Sequence, residues 1–514
     1  MHERVRRHLK ASFIVMVLIL IGANLALFSV RIDLTANRVF SVMPETRAVW
    51  EQLEDPVSIR YYLSGALRAR TAETRHIEEY LDEYARQSQG LVELQVLNPD
   101  ESRQRREEAE ELGVVPQRVQ LQRGPDESPA RVYSGIVLEY RDRREVIPLA
   151  FDPNEIEFEL TAAITALQRG ARPELGVVIG DRAITVQDSL QLIANQLARR
   201  FRLRVVDLNE ELPESLSGLL VIGNNDLGQA AVQRLEGFIA SGRGAIIAVD
   251  RLRVEPELGA VVAAVEQPHL TEWLAGYGVV AYPALVLDPD NRSIPVERRV
   301  GETRVQDEDP YPFWPAIGPD SVAGDHPVGH GVSSFTALWP SRLELDPANE
   351  IETVVLARSS PESWVLAEIQ DVSPGRHSEP PPGEPFSGSY PLAVALSVGA
   401  GSDNREPGGR LVAISGSRTV TDMMQVAAPR GTLELLDNAA HWIVGDEELA
   451  RLRREAPTER RLDAIEHPAG RAFQGWVART VNVALVPLGV ILAGVWYRRR
   501  RVQRGRREAP SAGK

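Results

Sequence analysis

Three short stretches hold the residues whose types and spacing could do chemistry. In "DHPVGHG", Asp325, His326 and His330 are the densest group of potential metal ligands in the chain. Two histidines four apart can meet one ion from a helix, but Pro327, Gly329 and Gly331 make this stretch a loop, and no metal is expected. "VIGDR" sets Asp181 and Arg182 directly after an apolar run, and "VIGNND" does the same for Asn224, Asn225 and Asp226. Ligands of open α/β sheets sit beyond the carboxyl ends of strands, so these two turns are candidate ligand or partner loops, together with His326 and His330. "ISGSR" places Ser415 and Ser417 on a turn without the GxSxG spacing of a nucleophile elbow. His441 and Trp442 fall in a helical pattern and read as core or interface.

Composition removes several chemistries outright. The 514-residue chain has no cysteine, which excludes thiolate nucleophiles, disulfides and cysteine-ligated metals. Lysine occurs only at Lys10 and Lys514, so no interior lysine can serve a Walker A loop, and no GxGxxG pattern signals a dinucleotide. Net charge is -14, with basic ends and an acidic middle, which argues against nucleic acid as a partner. No catalytic residue, metal or cofactor is assigned.

The elements that must position these turns read as α/β. From Pro56 the order is an alternating strand, a helix over Ala69 to Gln87, a second strand in "LVELQVLNPD" and a solvated helix in "ESRQRREEAEELGV". A hairpin around Arg141 to Arg144 and a helix from Ile156 to Leu167 follow. This is a small α/β unit. "LGVVIG", "LRVVDL", "LSGLLVIG" and "AIIAVD" then alternate with helical patterns, one carrying Leu190, Ile193, Leu197 and Phe201 on a single face. Buried strands alternating with helices predict a doubly wound sheet, flavodoxin-like or amidotransferase-like. "VGETRVQDEDPYPFWP" reads as surface loop. Late strands in "IETVVLARSS", "SYPLAVALSV" and "GRLVAISG" precede a helix packing Leu433, Leu436, Ala440 and Ile443 on one face.

Both ends read as membrane anchors. Residues 11–30 are uncharged and long enough to span a bilayer, and the Arg and Lys before them place the start of the chain in the cytoplasm. Residues 480–497 form a second uncharged run, bearing Pro487 and closed by Trp496, Tyr497 and an arginine block. The predicted organisation is a basic cytoplasmic tail (1–10), a transmembrane helix (11–30) and a first extracytoplasmic α/β domain (31–170). A second α/β domain with irregular insertions (171–450), a juxtamembrane segment (451–479), a transmembrane helix (480–497) and an Arg-rich cytoplasmic tail (498–514) complete it. The expected location is the cytoplasmic (inner) membrane, with two passes, both termini inside and the bulk periplasmic.

The stretch after the first anchor carries a resemblance. "RIDLTANRVFSVMPETRAVWEQLEDPVSIRYYLSG" resembles GldG-type auxiliary components of ABC transport systems, a family associated with gliding motility. Asp33, Leu34, Thr35, Arg38, Phe40, Ser41, Pro44, Thr46, Leu53, Pro56, Val57, Ile59 and Tyr61 stand where the family motif has its residues. "LPESLSGLLVIGNNDLGQAAVQRLEGFIASGRGAIIAVD", "HPVGHGVSSF", "SYPLAVAL" and "GRLVAISGSR" match the family in order. Gly416, Ser417 and Arg418 depart from its Gly-Asp-Ser-like turn. The first α/β unit is similar to a domain of intraflagellar-transport proteins, which by fold analogy implies a glycan as a possible ligand. The resemblance implies a non-catalytic, membrane-anchored auxiliary subunit. Its implied partners are an ABC-2-type permease, a cytoplasmic ATPase, the lipid bilayer, and a glycan or envelope protein. The competing reading is a membrane-tethered envelope hydrolase acting on glycan or peptide, which requires a pocket with converging catalytic groups at the strand ends.

Overall fold

The computed structural model describes residues 42–119, 130–255, 261–300, 303–367, 369, 371–374, 388–399, 408–427 and 430–452. All of them belong to the first of two compact units, Met1–Ala456. Among the described residues no helix is long and apolar enough to cross a membrane. Both predicted spans, 11–30 and 480–497, the tails 1–10 and 498–514, and nearly all of 451–479 lie outside the described residues.

A four-stranded sheet comes first, built from β1 (Val57–Leu63), β2 (Val92–Leu97), β3 (Ser134–Tyr140) and β4 (Arg143–Ile147) in the order β2-β1-β3-β4. β1 and β2 are parallel and the other pairs antiparallel, the β3–β4 hairpin turning at Arg141 and Asp142. One face of β1 sends Ile59, Tyr61 and Leu63 against three helices: α1 (Pro44–Glu51), α2 (Ala72–Gln87) and α4 (Ile156–Arg169). On the other face Tyr62 and Val137 pack near Ala109 of α3 (Arg103–Glu111). The predicted helix over Ala69 to Gln87 is interrupted at Thr71, which is extended. Its hydroxyl bonds the Leu67 carbonyl at 2.7 Å and the Thr74 hydroxyl at 2.7 Å, the local competition that makes threonine a poor helix interior.

A seven-stranded sheet follows. Its members are β5 (Glu174–Ile179), β6 (Arg202–Val205), β7 (Leu216–Ile222), β8 (Gly244–Val249), β13 (Glu352–Arg358), β15 (Pro391–Val398) and β16 (Gly409–Ser415). The spatial order is β13-β15-β16-β8-β7-β5-β6, parallel from β16 to β6. The parallel part is therefore 2-1-3-4-5 in chain order, the flavodoxin-like arrangement, with its switch point between β5 and β7. Antiparallel β15 and β13 extend one edge.

Helices cover both faces, so the central strands are continuous apolar runs, while edge strand β6 keeps Arg202 and Arg204 exposed. On one side Ile193 and Leu197 of α5 (Gln191–Leu197) and Leu435, Leu436, Ala439 and Ala440 of α8 (Arg430–Ile443) meet Leu220, Ile246 and Val412. On the other, Ala231, Leu235 and Phe238 of α6 (Gln229–Ala240) and Leu270 and Leu274 of α7 (His269–Gly276) meet Leu219, Ala245 and Leu411. Each fully buried leucine or phenylalanine contributes about 1.5–3 kcal/mol.

Two further predicted elements come out differently. "VGETRVQDEDPYPFWP" is not loop: β10 (Asn291–Val300) and β11 (Thr303–Ile317) pair antiparallel from Arg292 opposite Tyr311 to Val300 opposite Thr303. Proline is tolerated in such a two-stranded ribbon, and the Pro312 carbonyl accepts from Asp288 N at 3.0 Å. The base of β11 buries Tyr311, Phe313 and Trp314 against Leu285 and Leu287 of β9 (Val279–Leu287). β9 also pairs with β12 (Ser341–Leu345) and β14 (Trp364–Leu366). The second difference is α8, which is buried around its circumference instead of on one face. Leu433 is only half-buried, whereas Glu434, Asp437, Asn438 and His441 are buried.

Candidate functional site

The two Gly-bearing turns lie at the switch point. Gly180 and Asp181 follow β5, Gly223 to Asp226 follow β7, and Gly180 N donates to the Ile222 carbonyl at 2.8 Å. The two glycines touch: a Cβ on Gly180 would stand 2.1 Å from the Gly223 carbonyl oxygen, and Gly223 has φ +75°. Only glycine permits that approach. Asp226 N donates to the Gly180 carbonyl at 2.8 Å, and the Asp226 carboxylate accepts from Arg182 N at 2.7 Å. The chain's own backbone thus occupies the crevice where a flavodoxin-like sheet places its ligand.

The other polar groups here are engaged in the same way. Asn224 exchanges two hydrogen bonds with the Asp250 main chain, 2.9 and 3.1 Å long, and Asn225 accepts from Glu266 N at 3.0 Å. Asp181 accepts from Ala183 N at 2.9 Å and lies 3.6 Å from Arg253. Arg182 points outward, 91% exposed and 3.8 Å from Asp226. Asp250, at the end of β8, accepts from Ser417 N at 2.9 Å. Burial pushes its carboxyl up to about 6; the Ser417 hydrogen bonds and Arg418 oppose the rise, and Asp181 adds to it. Asp250 and Arg253 were missed in the sequence because neither belongs to a motif; position at a strand end was the one available signal.

His326 and His330 are not brought to this site. Their loop packs on α8, where Asn438 Nδ2 donates to the Val328 and His330 carbonyls at 3.2 and 2.9 Å. The His326 ring lies edge-on to Trp442, with centroids 5.1 Å apart, and its Nδ1 accepts from Val328 N at 3.2 Å. Burial holds the His326 pKa down at about 4, so it is neutral at pH 7. Among the described residues no group of three or more His, Asp or Glu side chains could hold a metal ion.

Sequence reasoning also missed a cavity of about 440 Å³ between the two sheets' helices. One wall is α4 with β4 and the residues after it; the other is the end of α5, His441 of α8, and the turn into α9 (Glu447–Arg451). Arg169, the last residue of α4, holds Asp446 through two hydrogen bonds, one of 2.6 Å. Arg172 holds Glu145 in the same manner and donates to the Ala198 carbonyl at 3.0 Å. Burial pushes the Glu159 carboxyl in this wall up to about 7, against the pull of Arg200. These residues lie far apart in sequence, and only the packing of α4 on α8 unites them.

Residues 36–139 match a family described as a domain of unknown function. An uncharacterized protein of Borreliella burgdorferi is 22% identical over 360 residues, covering 68% of this chain and 69% of its own length. A crystal structure of a ThuA-like protein from Bacteroides uniformis aligns with 15% identity and a TM-score of 0.30, over 53% of this chain and 92% of that one. Residues 172–439, which build the seven-stranded sheet and α8, match the family described as ABC-type uncharacterized transport system, and the chain belongs to that family of auxiliary transport components.

Proposed function

We propose that the protein is a non-catalytic subunit of an ABC-type transport complex, of the GldG type, anchored in the membrane at both ends. In this reading a multi-spanning permease of the ABC-2 type and a cytoplasmic ATPase are its partners. The exported body binds a substrate, a glycan or an envelope protein and couples it to transporter motion. The observation that carries the reading is the family match over residues 172–439. The flanking uncharged runs and the terminal arginine block agree with it. At the strand ends, the side chains a hydrolase would recruit are instead committed to holding the fold, as with Asp226 on Arg182 N and Asp250 on Ser417 N.

The reading requires the acidic body to lie outside the cytoplasm. Alkaline phosphatase, active only when exported, is fused in frame within the turn between α6 and β8, after Gly242, and, separately, after Lys514. Activity from the first fusion and none from the second is the expected result. Activity from neither, or from the C-terminal fusion alone, overturns the proposed topology.

A further inference from the structure

A second hollow, an open cleft of about 490 Å³, is lined by residues from the edges of both sheets. β4 is the outermost strand of the four-stranded sheet, and β6 is an outermost strand of the seven-stranded one. Arg143 and Arg144 of β4, Arg172 of the linker after α4 and Arg202 of β6 line the cleft, with Glu145 as the one carboxylate among its described lining residues. Edge strands carry charge to block further pairing, which accounts for an arginine on either strand alone. Four cations around one hollow, in a chain whose net charge is -14, are a local field of the opposite sign to the whole.

The carboxylate is already engaged. Arg172 holds Glu145 through Nε and Nη2 and donates from Nη1 to the Ala198 carbonyl at 3.0 Å. Arg144 donates from Nε to Glu139 at 2.8 Å. Arg143 and Arg202 have no such partner among the described residues. The Arg143 Nη1 donates to the Leu167 and Gln168 carbonyls at the end of α4, at 2.9 and 3.1 Å. Its guanidinium rests on Gly170, another lining residue, where a Cβ would stand 2.5 Å from Cζ. The group is thus fixed in place at the cleft while its Nε and Nη2 stay unused, and the residue is exposed. Arg202 is exposed as well, and its side chain makes no hydrogen bond or ion pair among the described residues. Its backbone is held by the bond from Arg202 N to the Pro173 carbonyl, 2.9 Å long. Two accessible guanidinium groups with spare donors therefore stand at one cleft, each carried by a different sheet.

A guanidinium meets phosphate through two parallel N–H···O bonds, and a phosphate monoester has the charge and the oxygens to be shared by two arginines. We propose that this cleft binds a phosphate-bearing ligand, its phosphate on Arg143 and Arg202 and its uncharged part in the rest of the cleft. The proposal goes beyond the transport reading and does not depend on it. The volume leaves room for a body of sugar or glycerol size beside the phosphate.

The test is isothermal titration calorimetry on the full chain in phosphatidylcholine nanodiscs, with empty nanodiscs as the blank. The probes are glucose 6-phosphate, the carboxylate glucuronate and neutral glucose. Glucose 6-phosphate is expected to bind about ten-fold more tightly than glucuronate, and glucose not at all. Raising sodium chloride from about 50 to about 200 mM is expected to weaken the phosphate several-fold. Arg202→Ala removes a side chain that holds nothing in the fold and is expected to weaken the phosphate about ten-fold. Arg103→Ala removes an 86% exposed arginine of α3, away from the lining residues, and is expected to change nothing. Dihexanoyl phosphatidic acid presents the same phosphate on a lipid; whichever of it and glucose 6-phosphate binds more tightly names the source as a lipid headgroup or a soluble ester. Equal affinity for glucose 6-phosphate and either control sugar overturns the proposal. So does undiminished phosphate binding in Arg202→Ala, or no saturable binding of either phosphate up to about 10 mM.

Discussion

Asp250 shows what the strand-end residues contribute. It is buried, its carboxyl titrates near 6, and Ser417 N is its hydrogen-bond donor. The folded pKa lies above the ordinary aspartate value of about 4, so the native state keeps a proton that the unfolded chain has lost. This contribution to stability is fully present below pH 4 and is lost as pH rises through about 6, amounting to about 3 kcal/mol. Asp250→Asn retains an acceptor for Ser417 and removes the charge. Urea unfolding should therefore show higher stability than wild type at pH 8, little difference at pH 4, and a flatter profile between. Gly180→Ala should lower stability by about 3 kcal/mol, since its Cβ meets the Gly223 carbonyl. Gly237→Ala is the control: it lies within α6, where a Cβ meets nothing within 4 Å, and should stabilise by up to about 1 kcal/mol. The sequence placed Asp181 and Asn224 to Asp226 at strand ends from the apolar runs before them. It could not show that the turns close on each other, because the Gly180–Gly223 contact depends on β5 and β7 being neighbours in the sheet.

Among the elements, the strands of the doubly wound sheet were the most legible, because a strand buried on both faces is apolar at every position. Hairpin β10–β11 was hidden by its prolines and charges, which a two-stranded ribbon tolerates and a central strand does not. The helix α8 was legible only in part. Leu436, Ala440 and Ile443 marked the face that meets the sheet, but its second face is polar and buried, which the spacing of apolar residues does not register. Glu434 there accepts from Ser333 N at 3.0 Å, and Asp437 faces Arg200 at 3.5 Å. Removing Arg200 takes away a cation that faces the Asp437 carboxylate in a dry site. Arg200→Ala is expected to cost about 3 kcal/mol in urea unfolding, and Arg200→Met combined with Asp437→Leu to recover most of it. An additive double variant, with no recovery, would contradict a direct interaction between the two residues.

At the scale of the whole molecule, the account joins two legible features. Residues 11–30 and 480–497 are uncharged runs next to basic ends and the middle is strongly acidic, which is the basis of the proposed anchoring, while residues 172–439 carry the signature of an auxiliary transport component. The candidate ligand or partner loops were legible as positions but not as roles, since a carboxylate after a strand serves a turn as readily as a ligand. The cavity with His441 was invisible, its lining being drawn from Glu145 to Leu449 across both sheets. Co-purification tests the central claim most directly. The tagged full-length chain is drawn from membranes in mild detergent, the bound proteins are identified by mass spectrometry, and ATP hydrolysis is measured on the eluate. The account predicts a multi-spanning permease and a nucleotide-binding subunit with ATP turnover. A preparation that retains the folded chain but neither subunit, and hydrolyses no ATP, would contradict it.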